Sequence, residues 1–497
     1  MMRAIALVLM IQTTVAAHTS VGTVAAGAAT AGAARVAVVL TGDTVDRRVP
    51  PPVPAQPALR VPAIEMRKLA NGIRVAVLEN HQLPIVDVHA IVEAPGDLLD
   101  PPGKDGLASL TFRMLSEGTT TRSADALASA YADLGNGVSP TGFFTITPNV
   151  DRSLVLMADQ LLHPAFPQSS LTRIKANTIA ALKRQQDDAD YLAGRVFDNT
   201  VYGPTHPWAR AETPRSVAAI TRADLVTFQQ TYIAPRNVTF VVSGDITPDA
   251  AVAALDRAFG AWHTVGKSGD LLAPPPKGPG PTTIYLYDRP SSPQSVIVVG
   301  QLGPRRDPAV FFPLQLGNTV LGGAFNSRLN LDLREEHGYT YGASSEFAFR
   351  RVPQVGTFEA SADVATPKTD SALVLLVANL KAIRGARPVT DTELAFAKAS
   401  EIRSLPRAFS TVEDIAGAAA HLLEERLPFD YYSTLTANYE RVTLPEARAA
   451  LAAHLDPGHL AIVVVGDRKA IEPGLRAARI APVVVVGLNG KPLASGN

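Results

Sequence analysis

Apolar and polar positions along the chain follow two periods. Residues 73–79, 84–92, 238–243, 283–287, 294–301, 342–349, 355–363 and 460–465 are short apolar or alternating runs and predict strands. Residues 170–199, 213–232, 247–260, 367–384, 390–405, 410–424 and 443–454 are longer, with the three-to-four-residue period of helices. One more helix is expected in "GLASLTFRMLSEGT", residues 106–119, ending at a glycine. There Leu107, Leu110 and Met114 share one face, and Ser109, Arg113 and Ser116 share a polar one. The strands and helices alternate irregularly, with consecutive strands in places, which favours an α+β fold over a doubly wound parallel sheet.

The pattern occurs twice. "ITRADLVTFQQTYIAPRNVTFVVSGD" ends at Asp245, and "VTLPEARAALAAHLDPGHLAIVVVGD" ends at Asp467, 222 residues later without a gap. Thr221 and Asp224 in the first copy, and Thr443 and Glu446 in the second, have the spacing of a helix cap. Each copy continues through a proline (Pro235, Pro457) into an apolar strand that closes on Gly-Asp. This run of matched caps, prolines and strands predicts an internal duplication into two α+β halves. "VGKSGDLLAPPPKGPGPTT", residues 265–283, is rich in Pro and Gly and suits a connection between them. "NG" at residues 71–72 suits a turn at the start of the ordered chain.

Length and composition add bounds. The 497 residues are 46% hydrophobic and 19% charged, enough for several cores. Lys+Arg and Asp+Glu both number 46, so nothing in the net charge favours nucleic acid or an anionic membrane as partner. There is no cysteine, which excludes disulfides and thiolate metal sites. "MMRAIALVLMIQTTVAA" has the form of a secretory signal peptide, with Val15 and Ala17 fitting the small-residue cleavage rule. Export to a bacterial periplasm, with no stable membrane span after signal removal, is the expectation. The expected organisation is signal peptide 1–17, an Ala/Pro-rich spacer 18–60, an N-terminal domain 61–264, a linker 265–282, a C-terminal domain 283–480 and a tail 481–497.

Candidate chemistry is sparse. No two of the ten histidines are three or four residues apart, so a helical His-pair zinc site is absent. His206, between prolines in "PTHPW", reads as a structural loop residue. No phosphate loop and no nucleophile elbow occurs. "LGGAFNSRLNLDLREEHGYTYGASSEF", residues 321–347, stands out. Gly322 and Gly323 permit close backbone approach. Ser327 is positioned to cap a helix that carries Leu329 and Leu333 and stops at Gly338. Arg334 lies in its last turn and Tyr341 just beyond, where a guanidinium and a phenol can both donate to an oxyanion. Read from the residues alone, an Arg satisfying helix-end carbonyls and a Tyr in the sheet is the simpler account.

Four segments together resemble the pitrilysin/insulinase family of zinc metallopeptidases, in particular its bacterial and mitochondrial-processing-type members, from about residue 64 to 478. They are "LANGIRVAVLENHQLPIVDV", "GLASLTFRMLSEGT", "YIAPRNVTFVVSGD" and "SRLNLDLREEHGYTYGASS". The resemblance implies a half-shell built of the two homologous halves. It also implies that "GLASLTFRMLSEGT" occupies the place of an inverted H-x-x-E-H motif. Here the two histidine positions are Ser109 and Arg113, and the glutamate position is Phe112. A later carboxylate ligand would fall near Ala180 or Ala181. This chain is therefore expected to bind no zinc. The same resemblance implies that Arg334 and Tyr341 assist catalysis, with Gly322 and Gly323 near the substrate. In two-chain family members one subunit carries zinc and the other supplies this pair. The expectation is a non-zinc subunit of a heterodimeric or heterotetrameric peptidase that encloses an unfolded peptide, the zinc being held by a homologous partner. The alternative is a catalytically inactive structural or peptide-binding homologue.

Overall fold

The computed structural model describes residues 61–93, 96–351 and 353–493. The signal peptide and the spacer expected over 1–60 lie outside the described residues. The fold is α+β, with two sheets. The first has the order β1-β2-β5-β3-β4, from β1 (Glu65–Lys68), β2 (Arg74–Glu79), β3 (Ile85–Val92), β4 (Gly142–Ile146) and β5 (Val238–Gly244). The second has the order β11-β6-β10-β7-β9-β8, from β6 (Thr283–Asp288), β7 (Gln294–Arg305), β8 (Thr340–Ala348), β9 (Val355–Ala365), β10 (Ala461–Gly466) and β11 (Val483–Val485).

The duplication is exact in register at the sheet centres. Val242 of β5 lies between Val77 of parallel β2 and Val88 of antiparallel β3. Val464 of β10, 222 residues on, lies between Leu286 of parallel β6 and Ile297 of antiparallel β7. The Gly-Asp ends have a shared cause. At Gly244 φ is +122°, and a Cβ would sit 2.1 Å from the Ile85 carbonyl oxygen, so only glycine fits. The aspartate that follows fastens the turn between the first two long strands of its half. Asp245 holds His81 at 2.6 Å and Thr147 at 2.9 Å, and Asp467 accepts from the Ser291 amide at 3.0 Å.

Seven helices matter for the argument: α1 (Leu107–Met114), α2 (Gln168–Gln185), α3 (Ala189–Val201), α4 (Arg222–Tyr232), α5 (Asp391–Ser404), α6 (Val412–Glu425) and α7 (Leu444–His454). Two expected helices are each broken by a cap. The 170–199 stretch divides because Asp188 accepts from the amides of Asp190 and Tyr191 and starts a new helix. The 213–232 stretch divides at Thr221, which forms a capping box with Asp224. Strands β1, β4 and β11 lie outside the runs read as strands from the pattern.

The central strands of each sheet are covered on both faces, and the second cover is exchanged. Val75, Val77, Val86, Val88, Phe240 and Val242 face the core of the first half. On the other face, Ala76, Leu78 and Val241 meet Ile415, Ala416, Ala419 and Leu423 of α6, which belongs to the second half of the chain. Conversely, Val296, Val298, Val463 and Val465 of the second sheet meet Leu192, Val196, Phe197 and Val201 of α3, from the first half. Each half thus lends one helix to the sheet of the other, which is why the central strands are apolar on both faces. The connection over 265–282 carries no helix or strand. Asn237 pins it through the Lys267 carbonyl at 2.7 Å and the Gly269 amide at 3.0 Å, and His206 meets the Pro274 carbonyl at 2.8 Å.

Candidate functional site

Helix α1 is built as the periodicity predicts. Asp100, itself buried, accepts from the amides of Gly106 (2.6 Å) and Ala108 (2.8 Å) and so places a carboxylate at the helix start. Leu107, Leu110 and Met114 are buried in the first core. Ser109 and Arg113 lie on the solvent face one turn apart, and Phe112 packs half-buried against the core. Arg113 Nη1 donates to Thr178 Oγ1 of α2 at 2.7 Å, and that hydroxyl donates to the Ile174 carbonyl at 2.8 Å. A guanidinium–hydroxyl bond therefore joins the two helices. On α2, Ala180 is exposed and Ala181 half-buried. These residues do not fit a zinc ion. A hydroxyl, a phenyl ring, a cation and two methyl groups offer none of the His and carboxylate donors that zinc needs, and Arg113 repels it.

The second candidate region departs from ideal helix. The Thr319–Gly323 and Leu331–Glu336 segments are π-helical turns on either side of the short helix Arg328–Asn330. Such turns recur at functional sites. Leu329 and Leu333 are buried as expected, and Gly338 ends the segment at φ +63°. The expected Ser327 cap does not form: its hydroxyl is buried without a hydrogen-bond partner. Arg334 lies half-exposed, 3.3 Å from Glu335 and with its guanidinium 4.8 Å from the centre of the Phe325 ring. Tyr341, at the start of β8, is 92% exposed. Arg334 and Tyr341 are both at the surface but make no hydrogen bond to each other. At Gly322 a Cβ would fall 2.3 Å from the Ser345 amide nitrogen, so the glycine lets the turn close on β8. Gly323 is exposed.

Two buried asparagines and a largely buried arginine hold this region together, and the sequence pattern carried no sign of them. Asn318 donates to the Ser345 carbonyl (2.9 Å) and accepts from the Ser345 hydroxyl (2.8 Å). Asn330 donates to the Phe325 carbonyl (2.7 Å) and accepts from the Ala343 amide (3.2 Å). Arg328 grips Glu393 of α5 with two bonds, at 2.8 and 2.7 Å. Burial alone would raise the Glu393 pKa, but the Arg328 guanidinium and the Thr390 cap overcome it and bring it down to about 2. Asp332, Glu336 and His337 have ligand atoms within 4.8 Å of one another, but Asp332 is already engaged by Asn379 and by His337.

The chain is similar, in part of its sequence and in its fold, to the M16 peptidases, the pitrilysin/insulinase family. Residues 219–401 match the family model described as the peptidase M16 inactive domain. The "non-peptidase homolog YmxG" of Helicobacter pylori is 24% identical over 412 residues, which span 80% of this chain and 93% of that protein. Among solved structures, a peptidase M16 inactive domain from Pseudomonas fluorescens superposes with TM-score 0.72 at 27% identity, covering 81% of this chain and 97% of that one. The periplasmic protease PqqL from Escherichia coli matches in fold, with TM-score 0.67 at 15% identity, over 88% of this chain and 52% of PqqL. Among the described residues no helix is long and apolar enough to cross a membrane.

Proposed function

We propose that this chain is the non-zinc subunit of a heteromeric M16 peptidase. A homologous, zinc-bearing partner performs the hydrolysis, and Arg334 and Tyr341 donate to the peptide carbonyl oxygen as it becomes an oxyanion. The observation that carries this reading is the contrast between the two regions. The α1 site has no metal donors, yet Tyr341 stands 92% exposed with no hydrogen-bond partner among the described residues, seven positions after the half-exposed Arg334. An exposed phenol has no packing role in its own chain, and a partner's site gives it one. Gly323, exposed in that turn, is where the substrate backbone would approach. The expected setting is the periplasm, the compartment in the description of the PqqL neighbour.

The test is reconstitution with a zinc-bearing homologue from the same host. The complex should form near one-to-one and cleave unfolded peptide. Arg334→Ala and Tyr341→Phe should each lower kcat by ~10²–10³ without dissociating it. Unchanged turnover in both variants would remove the catalytic role. A second reading, an inactive peptide-binding homologue, draws on a different observation. Phe144 and Ile146 lie exposed on β4, at one end of the first sheet. An apolar sheet edge suits an extended peptide. Peptide binding that survives loss of Arg334 and needs Phe144 would favour it.

A further inference from the structure

The seat of α6 on the first sheet combines an apolar strip with ionisable groups. Ile415, Ala416, Ala419 and Leu423 fill the strip. Beside it on β3, His89 Nε2 lies 2.9 Å from Oδ2 of the buried Asp87. At the end of α6, Glu424 and Glu425 are half-buried, and Glu425 Oε2 is buried without a hydrogen-bond partner. The other charged groups on the surrounding elements are few. Helix α6 itself carries Glu413, Asp414 and His421, and the turn Leu405–Phe409 against it carries Arg407. Arg306 follows β7, and Arg350 and Arg351 lie between β8 and β9. On β2, Arg74 is ion-paired with Glu93 and Glu79 meets His81, while β5 has no titratable residue. Just past α6, Arg426 is paired with Asp270 of the connecting segment.

We propose that the packing of α6 on the first sheet is a proton-controlled seam, closed while Glu424 and Glu425 are protonated and His89 is charged, and loosened when they lose their protons. Each half lends a helix to the other, so this seam is where the second half grips the first.

The groups act in the same direction. Burial raises Glu424 from 4.5 to about 7, with Glu425 adding to the rise and His89 opposing it. Burial also raises Glu425, opposed by Arg306, Arg350 and Arg351. An acid raised on folding costs stability as pH climbs from its free value to its folded one. Burial pulls His89 down, but the bonded Asp87 carboxylate, with a smaller contribution from Glu413, opposes it, and His89 too is raised. A raised base contributes stability in acid that is lost as pH rises through its folded value. His421 is lowered to about 4 by burial and by Arg306, so it stays neutral across this range. For Glu424 alone, linkage multiplies the open-to-closed ratio by about tenfold between pH 6 and 8.

The experiment is amide hydrogen exchange on the full chain at pH 6, 7 and 8, corrected for the intrinsic pH dependence of exchange. Protection across 412–425 should fall about tenfold from pH 6 to 8, while 444–466 stays level. Glu424→Gln should remove most of the fall, and His89→Gln should flatten what remains. Protection that is level with pH in the unaltered chain overturns the proposal. So does a Glu424→Gln chain that loses protection as steeply as the parent.

Discussion

Breaking the Arg328–Glu393 pair gives a test whose size follows from the geometry. The Arg328 side chain is 10% exposed and that of Glu393 32%, and their two bonds tie the Arg334-bearing turn to α5. The Glu393 pKa falls from 4.5 to about 2, which at ~1.36 kcal/mol per unit is worth ~3.4 kcal/mol at neutral pH. The Thr390 cap supplies part of that lowering and solvent reaches a third of the carboxylate, so the share of Arg328 is discounted to ~2 kcal/mol. A depressed carboxylate contributes stability above its free value and loses it as pH falls towards the folded value, here from about 4.5 towards 2. The assay is a double-mutant cycle of Arg328→Met, Glu393→Gln and the double variant, by urea unfolding at pH 7 and pH 3. The coupling should be ~2 kcal/mol at pH 7 and fall by more than half at pH 3. A coupling under ~0.5 kcal/mol at pH 7, or one that ignores pH, refutes the assignment of Glu393 as a half-buried, Arg-held carboxylate.

Three further outcomes follow. Gly322→Ala forces a methyl against the Ser345 amide and should destabilise the chain by ~1–3 kcal/mol in urea, with the loss centred on β8; an unchanged midpoint contradicts that contact. Phe358→Ala, at the centre of the second core, should cost ~3–5 kcal/mol, whereas Tyr341→Phe should stay within ~0.5 kcal/mol; comparable losses would mean Tyr341 is structural after all. Elemental analysis of the purified chain after dialysis against micromolar zinc should find far less than one zinc per chain. Substituting Ser109→His, Phe112→Glu, Arg113→His and Ala180→Glu together should raise that, and a zinc equivalent in the parent chain would contradict the donor-set argument.

What the sequence made legible was local. The threonine caps, the Gly-Asp strand ends and the central strands depend on residues a few positions apart, and the structure places them as expected. Partner choice over long separations was not legible. The apolar faces of α3 and α6 announce that each helix is buried but not that each lies on the other half's sheet. Strand β4 follows a Gly/Pro-rich loop and puts Phe144 and Ile146 into solvent, so its pattern lacks the buried alternation that marks a strand. In the candidate site, Arg334 and Tyr341 stood out in "SRLNLDLREEHGYTYGASS" through the resemblance. Their supports, Asn318, Asn330 and the Arg328–Glu393 pair, reach across 13 to 65 residues and follow no period. The Arg113–Thr178 bond, also 65 residues apart, is a contact that only the packing of α1 against α2 creates.

The most direct test of the central claim is affinity purification of the tagged chain from its own host's envelope fraction, with the co-purifying proteins weighed and sequenced by mass spectrometry. The account predicts a homologous protein of similar size, carrying H-x-x-E-H and zinc, near one-to-one with this chain. Recovery of the chain alone, or only with proteins lacking that motif, would contradict it and leave Arg334 and Tyr341 as remnants of a lost activity.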